Sequence, residues 1–233
     1  MRGRSDRGPQ EALVSRLAGL LPPDVVVHRA TPAPVGFDAR FSAVRRRYVY
    51  RVSDDPRTRD PLRRSHVLWQ RRALDVDAMQ AGVQALLGRH DFSAFCKPRE
   101  GATTIRTLEI FDWERPSSGP DAGLVVAHVQ ADAFCHSMVR ALVGASLAVG
   151  AGRRSVDWLA DLLVGRLRDP AGAVVPAHGL TLEEVTYPPD DQLASRAEQT
   201  RALRSHDEVD AAPRTATSSR PEPSGAVAPG APH

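Results

Sequence analysis

Cysteine and paired metal-ligand spacings are what this sequence has least of. The chain of 233 residues contains two cysteines, Cys96 and Cys135, which lie far apart. Neither belongs to the closely spaced cysteine and histidine pairs that hold zinc. This scarcity argues against a disulfide framework and against a structural metal site. We therefore expect two ordinary buried thiols and no bound metal.

Long hydrophobic runs are also missing. The longest, over residues 141–151, is roughly half as long as a bilayer-crossing helix. The apolar stretch of residues 12–21 follows a basic opening, but Arg16 interrupts it and no small-residue cleavage site follows. The content of 42% hydrophobic and 25% charged residues is typical of a globular protein. We expect a cytoplasmic protein that spans no membrane.

Lysine is nearly absent, since Lys97 is the single lysine among 31 basic residues. This bias is as consistent with a GC-rich genome as with a function. The distribution of arginine is more informative: residues 40–72 contain eleven arginines against three aspartates, while the remainder is slightly acidic. A basic stretch on an acidic body indicates a phosphate-rich partner. A solvated arginine-rich hairpin is the alternative.

The hydrophobic pattern predicts an α+β fold. The strand of residues 45–52 alternates, so that Tyr48 and Tyr50 share one face and Arg47 and Arg51 share the other. Apolar spacing and turn residues predict the remaining elements. Predicted helices span 10–21, 75–87, 136–149 and 155–167, and predicted strands span 24–30, 45–52, 105–113, 124–134 and 180–187. Helices mixed with antiparallel strands favour the α+β class.

The end of the chain has a different composition. Beyond Pro189 it is rich in Asp, Ser, Arg, Ala and Pro and has few large apolar side chains. Such a segment can bury little surface to offset the entropy lost on ordering. We expect residues 191–233 to be a disordered tail.

Five sequence blocks follow one another along the chain: FDARFSAVRRRYVYRV (37–52), GRHDFSAFC (88–96), TTIRTL (103–108), ADAFCHSMVRALVGASLAVG (131–150) and VPAHGLTLEEVTYP (175–188). In this order they resemble A-type tRNA pseudouridine synthases, and the likeness is strongest to variants from high-GC bacteria. Five collinear blocks are far more specific than a single motif. Together they span most of residues 21–189.

The resemblance implies a fold, an activity and a partner. The fold would be a pseudouridine synthase catalytic domain, in which two ferredoxin-like halves share a central antiparallel sheet. The activity would be isomerisation of uridine to pseudouridine in the tRNA anticodon stem-loop, by a homodimer that uses no metal or cofactor. The base is detached from its ribose and rejoined through carbon. This chemistry needs a carboxylate, a way to extrude the nucleotide and a platform for the free base.

Tyr48 matches the family tyrosine that packs on the target uridine. Its ring can stack on a base, and its hydroxyl can hydrogen-bond a base edge. Strand tyrosines are more often core residues, and Tyr50 on the same face is the competing candidate. Phe134 would support the same pocket. Arg40 and Arg47, with the rest of the arginine-rich segment, are expected to contact the RNA backbone.

Arg140 lies in an otherwise apolar predicted helix, on the edge shared with Val143, Gly144 and Leu147. Burying an unpaired guanidinium is costly, so we expect a facing carboxylate. The resemblance pairs the matching arginine with the catalytic aspartate. The alternative is that Arg140 reaches solvent past Gly144. The whole assignment requires Arg140 and Tyr48 to lie on one side of the sheet.

The catalytic aspartate is where the sequence departs from the family. The family carries it in a GRTDAGVHA loop followed by a strand, whereas here Asp6 in GRSDRG (3–8) is about four residues from the first helix. That is too short for a strand rising ~3.3 Å per residue. Asp6 is thus a poor match, and we expect the true nucleophile upstream of Met1. Residues 1–23 would be a remnant and 24–190 the later part of the catalytic domain, with its first half largely missing.

Three functions remain open on this evidence. The chain is an isomerase that uses Asp6, a catalytically inactive tRNA-binding fragment, or an unstable fragment with no role. Other motifs carry less weight. His90 and Asp91 are expected to be structural, and His178 either lines the substrate cleft or orders it. Cys135 and His136 are adjacent at a helix start and point about 100° apart, which disfavours thiol catalysis.

Overall fold

A mixed β-sheet forms the centre of the computed structural model, which describes residues 8–209 except 98, 100–102, 167–168 and 170–171. Its strands are β1 (Arg45–Ser53), β2 (Leu68–Trp69), β3 (Gly88–Asp91), β4 (Ile105–Glu114), β5 (Val125–Ala131) and β6 (Leu180–Thr186). The order is β2-β1-β5-β4-β3, and β6 also pairs with β1. Because β5 runs along one edge of β1, the antiparallel β6 and the short parallel β2 share its other edge.

Helices cover one face of the sheet. They are α2 (Val76–Val83), α3 (Met138–Gly150) and α4 (Trp158–Gly165), and α2 begins where the Asp75 carboxylate accepts the N–H of Ala78 at 2.9 Å. Their apolar sides join the sheet residues of this face, Tyr50, Phe111 and Val129 among them, in one buried core. The α+β prediction is confirmed. No helix within the described ranges combines the length and apolar character needed to cross a membrane.

The other face of the sheet carries Arg45, Arg47 and Arg51 of β1. Arg51 binds the carboxylate of Asp121 at 2.9 Å, and Arg47 binds that of Glu184 on β6 at 3.0 Å. Only a small apolar cluster interrupts this face among the described residues, formed by Val49, Val67, Leu124 and Val126. The alternation predicted for β1 therefore separates two different surfaces.

The predicted strand over residues 24–30 is wrong. These residues follow α1 (Pro9–Leu20) and pair with no strand in the described part of the chain, and Val26 is 68% exposed. β-branched residues favour extended backbone, but a strand also needs a partner. Conversely, residues 88–91 lie outside every predicted element, yet they form β3 against β4.

The expected disordered tail is wrong as far as residue 209. Residues Leu193–Val209 form a helix, α5, whose first turn packs against the segment of residues 36–42. The Ser42 hydroxyl donates to the Leu193 carbonyl at 3.0 Å, and Arg201 pairs with Asp38 at 2.6 Å. Few apolar side chains are enough to dock α5, because those near its start, such as the buried Leu193, contact one surface. Residues 210–233 lie outside the described residues.

The expectation of two free thiols is also wrong, because Cys96 and Cys135 form a disulfide. Cys96 follows the 3-10 turn Ser93–Phe95, and Cys135 precedes α3. The fold brings their Cα atoms to 5.6 Å, within the range that a disulfide spans. The prediction fails because a separation of 39 residues along the chain does not determine the distance between two cysteines in the fold.

Candidate active site

Two aromatic rings meet where β1 passes the loop that joins β5 to α3. Tyr48 of β1 and Phe134 of the loop are both half-buried, and their ring centroids are 5.3 Å apart in an edge-on arrangement. Edge-to-face packing of this kind is favourable and fixes the plane of each ring. The two residues predicted for one pocket are therefore in contact.

The loop that carries Phe134 is held at several points. The Asp132 carboxylate accepts the N–H groups of Thr107 and Ala133 at 3.0 and 2.7 Å. The Cys135 disulfide follows, and the next residue, His136, accepts the N–H of Lys97 at 3.0 Å. The loop ends at Ser137 with φ +65°, a left-handed conformation that non-glycine residues rarely adopt. Such backbone strain is frequent at functional sites.

Arg140 lies on the helix-covered side of the sheet, the side of Tyr48 and Tyr50. It is half-buried, and its Nε donates to the carbonyl of Val175 at 2.6 Å. The facing carboxylate expected for Arg140 is not found: within the ranges that the structure describes, no Asp or Glu lies within ion-pair distance of it. The Val175 carbonyl accepts from Nε where a carboxylate was expected, and Nη1 and Nη2 of Arg140 have no described partner. Asp6 lies outside the described residues.

Tyr50 is excluded as the stacking platform because its ring is completely buried. Its hydroxyl donates to the carbonyl of Pro176 at 2.8 Å. Burial raises the pKa of this hydroxyl well above its ordinary value, and the nearby charge of Arg140 acts against the rise. Sequence reasoning treated Tyr50 only as a competitor of Tyr48 and missed its contact with the loop of residues 174–179, which no periodic pattern reveals.

The arginine-rich segment does not form one continuous basic surface. Five of its eleven arginines pair with carboxylates: Arg45, Arg47, Arg51, Arg57 and Arg63. The others have no carboxylate within ion-pair distance among the described residues. Arg40 is exposed beside Phe41, with its Cζ 5.4 Å from the ring centroid. Arg47 is on the face opposite Tyr48, so the predicted RNA-contacting arginines are divided between two surfaces.

The remaining candidates have structural surroundings. His90 hydrogen-bonds the Leu87 carbonyl through Nε2 at 2.8 Å, and Asp91 accepts the Thr104 hydroxyl at 2.6 Å. The bond from Thr104 is the main reason that the pKa of Asp91 is lowered. His178 is exposed in the loop after Pro176. Neither His90 nor Asp91 contacts Tyr48, Phe134 or Arg140 in the described structure.

Comparison with known proteins identifies similar sequences. A sequence model described as tRNA pseudouridine synthase matches residues 83–188. The tRNA pseudouridine synthase A of Streptomyces griseus is 57% identical over 195 residues, which cover 84% of this chain and 68% of that protein. The protein of the same name from Frankia casuarinae is 57% identical over 200 residues, 85% of this chain and 71% of its own length. That of Mycobacterium leprae is 51% identical over 193 residues.

Proposed function

The chain belongs to the tRNA pseudouridine synthase A family of isomerases, and from that premise we propose that it converts a uridine of the anticodon stem-loop to pseudouridine. The observation that carries the proposal is the contact of Tyr48 with Phe134 on the side of the sheet where Arg140 lies half-buried. An aromatic face on the same side of the sheet as an arginine whose Nη1 and Nη2 have no described partner suits an extruded pyrimidine.

Each of these residues has a separate role in the proposed reaction. The ring of Tyr48 stacks on the detached uracil, and Phe134 keeps that ring in place. Nη1 and Nη2 of Arg140 face the carboxylate that assists cleavage at the ribose. The bond from ribose C1′ to N1 breaks, the base turns on its platform, and a bond from C1′ to C5 forms. C5 then loses its proton and N1 gains one, so the product is an isomer.

The reacting carboxylate is the part that the described residues do not supply. We propose that it comes from outside them, either from Asp6 or from a segment like those that the longer relatives carry beyond the matched region. In the same proposal, the described sheet corresponds to one of two ferredoxin-like halves. A second candidate function, a catalytically inactive tRNA-binding protein, is favoured by the lack of a described carboxylate near Arg140.

Tritium release separates these possibilities. Transfer RNA labelled with tritium at C5 of its uridines releases the label when C5 forms its bond to ribose. Release by this chain that is lost in Asp6→Ala, with tRNA binding unchanged, would assign the carboxylate to Asp6. Release that survives in Asp6→Ala would place the carboxylate elsewhere. Binding of tRNA without any release would contradict the isomerase proposal for this chain and support the second candidate.

Arginine contacts to RNA phosphates predict salt-dependent binding. Removing one phosphate contact is expected to lower the slope of log affinity against log salt by about 1. Arg40→Ala should show this change because Arg40 is exposed and lacks a described carboxylate partner. Arg47→Ala should change the slope less, because Glu183 and Glu184 already neutralise it. Equal slopes for wild type and Arg40→Ala would remove Arg40 from the interface.

We propose a cytoplasmic homodimer. Exposed apolar side chains on α1 and β6, such as Leu20 at 74% and Leu182 at 49%, offer surface to a second copy. Sedimentation at equilibrium tests this, and a monomer at micromolar concentration would contradict it.

Disulfides are uncommon in cytosolic proteins. Trapping the thiols in intact cells therefore tests the compartment and the state of Cys96 and Cys135 together.

A further inference from the structure

Two side chains from different elements hold successive carbonyls of one loop. Arg140 of α3 donates from Nε to the Val175 carbonyl at 2.6 Å, and Tyr50 of β1 donates from its hydroxyl to the Pro176 carbonyl at 2.8 Å. The N–H of Val175 returns a bond to the Arg140 carbonyl at 3.3 Å. The loop of residues 174–179 is thus tied to both the helix and the sheet beside the candidate site.

We propose that Tyr50 is a positioning residue for Arg140. By holding Pro176, Tyr50 fixes the adjacent Val175 carbonyl against which the guanidinium is set. The proposal rests on the catalytic role given to Arg140 under the proposed function. It assigns Tyr50 no contact with the uridine.

The geometry of the guanidinium explains why one anchored carbonyl is enough to orient the side chain of Arg140. The group is planar and carries its five N–H donors in a fixed fork. With Nε committed to Val175, the plane is oriented and the edge formed by Nη1 and Nη2 is left for a carboxylate or for RNA. No described residue accepts from that edge. A loop free to shift would leave the same charge without a defined direction.

Tyr50 is itself held rigidly. Its side chain is completely buried, and Gly179 lies against its ring so closely that a Cβ at residue 179 would be 2.6 Å from Cζ of Tyr50. The loop therefore packs on the ring and accepts from its hydroxyl. Because burial raises the pKa of this hydroxyl, it stays protonated and remains a donor at neutral pH.

Replacing Tyr50 by Phe removes the donor and keeps the ring. Water can bond the Pro176 carbonyl in its place, but water is not a rigid anchor. We expect the Nε–H proton of Arg140 to exchange with solvent about tenfold faster in Tyr50→Phe. This factor corresponds to the free energy of one neutral hydrogen bond. The measurement is nitrogen-15 NMR of arginine side chains, with Arg140→Lys used to assign the signal.

Tyr187→Phe is the matched control, because the Tyr187 hydroxyl also donates to a backbone carbonyl, that of Ala39 at 2.9 Å. It should leave the Arg140 signal unchanged. Gly179→Ala tests the same unit from the other side, since its methyl group would displace the Tyr50 ring while keeping the hydroxyl. We expect faster exchange in Gly179→Ala also. Thermal melting confirms that each variant is folded.

Activity gives a second measurement. Tyr50→Phe should lower kcat about tenfold and leave the KM for tRNA unchanged, whereas Tyr187→Phe should leave kcat unchanged. Unaltered Nε–H exchange in folded Tyr50→Phe would overturn the positioning role, whatever the activity. An inactive wild-type chain would instead refute the proposed function, and the NMR comparison would still decide whether Tyr50 positions Arg140.

Discussion

The two faces of the sheet use arginine in opposite ways. On the face opposite the helices, here called the open face, Arg51 and Arg63 share the carboxylate of Asp121, and Arg47 pairs with Glu184. Pairs of this kind at a surface contribute roughly 0–1 kcal/mol each. On the helix-covered face, Arg140 is half-buried and bonds only a backbone carbonyl among the described residues. The density of arginine in the sequence pointed to the face opposite the helices, whereas Arg140, which has no carboxylate partner among the described residues, lies on the side of Tyr48 and Phe134.

The largest contrast should come from deleting an arginine on each face. Arg140→Ala is expected to slow tritium release at saturating tRNA by about 100-fold to 1000-fold, because the reacting carboxylate loses the preorganised donors that face it. Arg51→Ala is expected to change that rate by less than about twofold, since its partners, Asp121 and Glu183, lie on the face opposite Tyr48. Losses of similar size in both variants would erase the distinction between the faces.

The disulfide anchors the loop of Phe134, since Cys135 is the next residue. Cys135→Ser is expected to lower the free energy of unfolding by about 2–4 kcal/mol, since the crosslink restricts the unfolded chain. Urea denaturation without reductant measures this loss. Reductant should produce the same loss in the wild-type protein and none in Cys135→Ser. A wild-type midpoint that ignores reductant would mean that the two thiols are free.

The aromatic platform should matter next. Tyr48→Ala is expected to weaken transition-state binding by about 1–3 kcal/mol, the cost of losing one base stack, measured as a fall in kcat/KM. Tyr48→Phe keeps the stacking face and should retain most of the activity. If Tyr48→Phe and Tyr48→Ala lower kcat/KM equally, the hydroxyl rather than the ring face carries the function of Tyr48.

The smallest effect should come from the open face and depend on pH. Burial acts to raise the pKa of Asp121, but bonds from Arg63 and Arg51 outweigh it and lower the pKa. Its ionised form therefore stabilises the folded state above the unfolded pKa of about 3.9, and this contribution disappears as the pH falls through the lowered folded pKa. Asp121→Asn should cost about 1 kcal/mol at pH 7. The difference in Tm from wild type should shrink as the solution is acidified below pH ~4; a constant difference would contradict the ion pairs.

Elements with a long, unbroken apolar period could be predicted from the sequence alone. The strand predicted over 45–52 is Arg45–Ser53, and the helix predicted over 136–149 is Met138–Gly150. Residues 24–30 failed because β-branched composition does not supply a pairing strand. The helix Leu193–Val209 was missed because composition does not reveal that a few apolar side chains share one docking surface.

The candidate site was only partly predictable. Motif resemblance selected Tyr48, Phe134 and Arg140, and the structure brings the first two into contact and Arg140 to their side of the sheet. It also places Arg47 on the opposite face and joins Cys96 to Cys135. Neither the carbonyl partner of Arg140 nor that of Tyr50 could be inferred, because both belong to a loop without periodicity.

The sequence by itself determined which side chains share a face, since the periods of strands and helices are local and need only neighbouring residues. Tertiary structure alone decided which groups meet, because the partners are remote in the chain. Arg140 and Val175 are 35 residues apart, and Tyr50 and Pro176 are 126 apart. Hydrogen bonds and ion pairs depend on distances of a few ångströms, and such distances between remote segments are set only when the whole core packs.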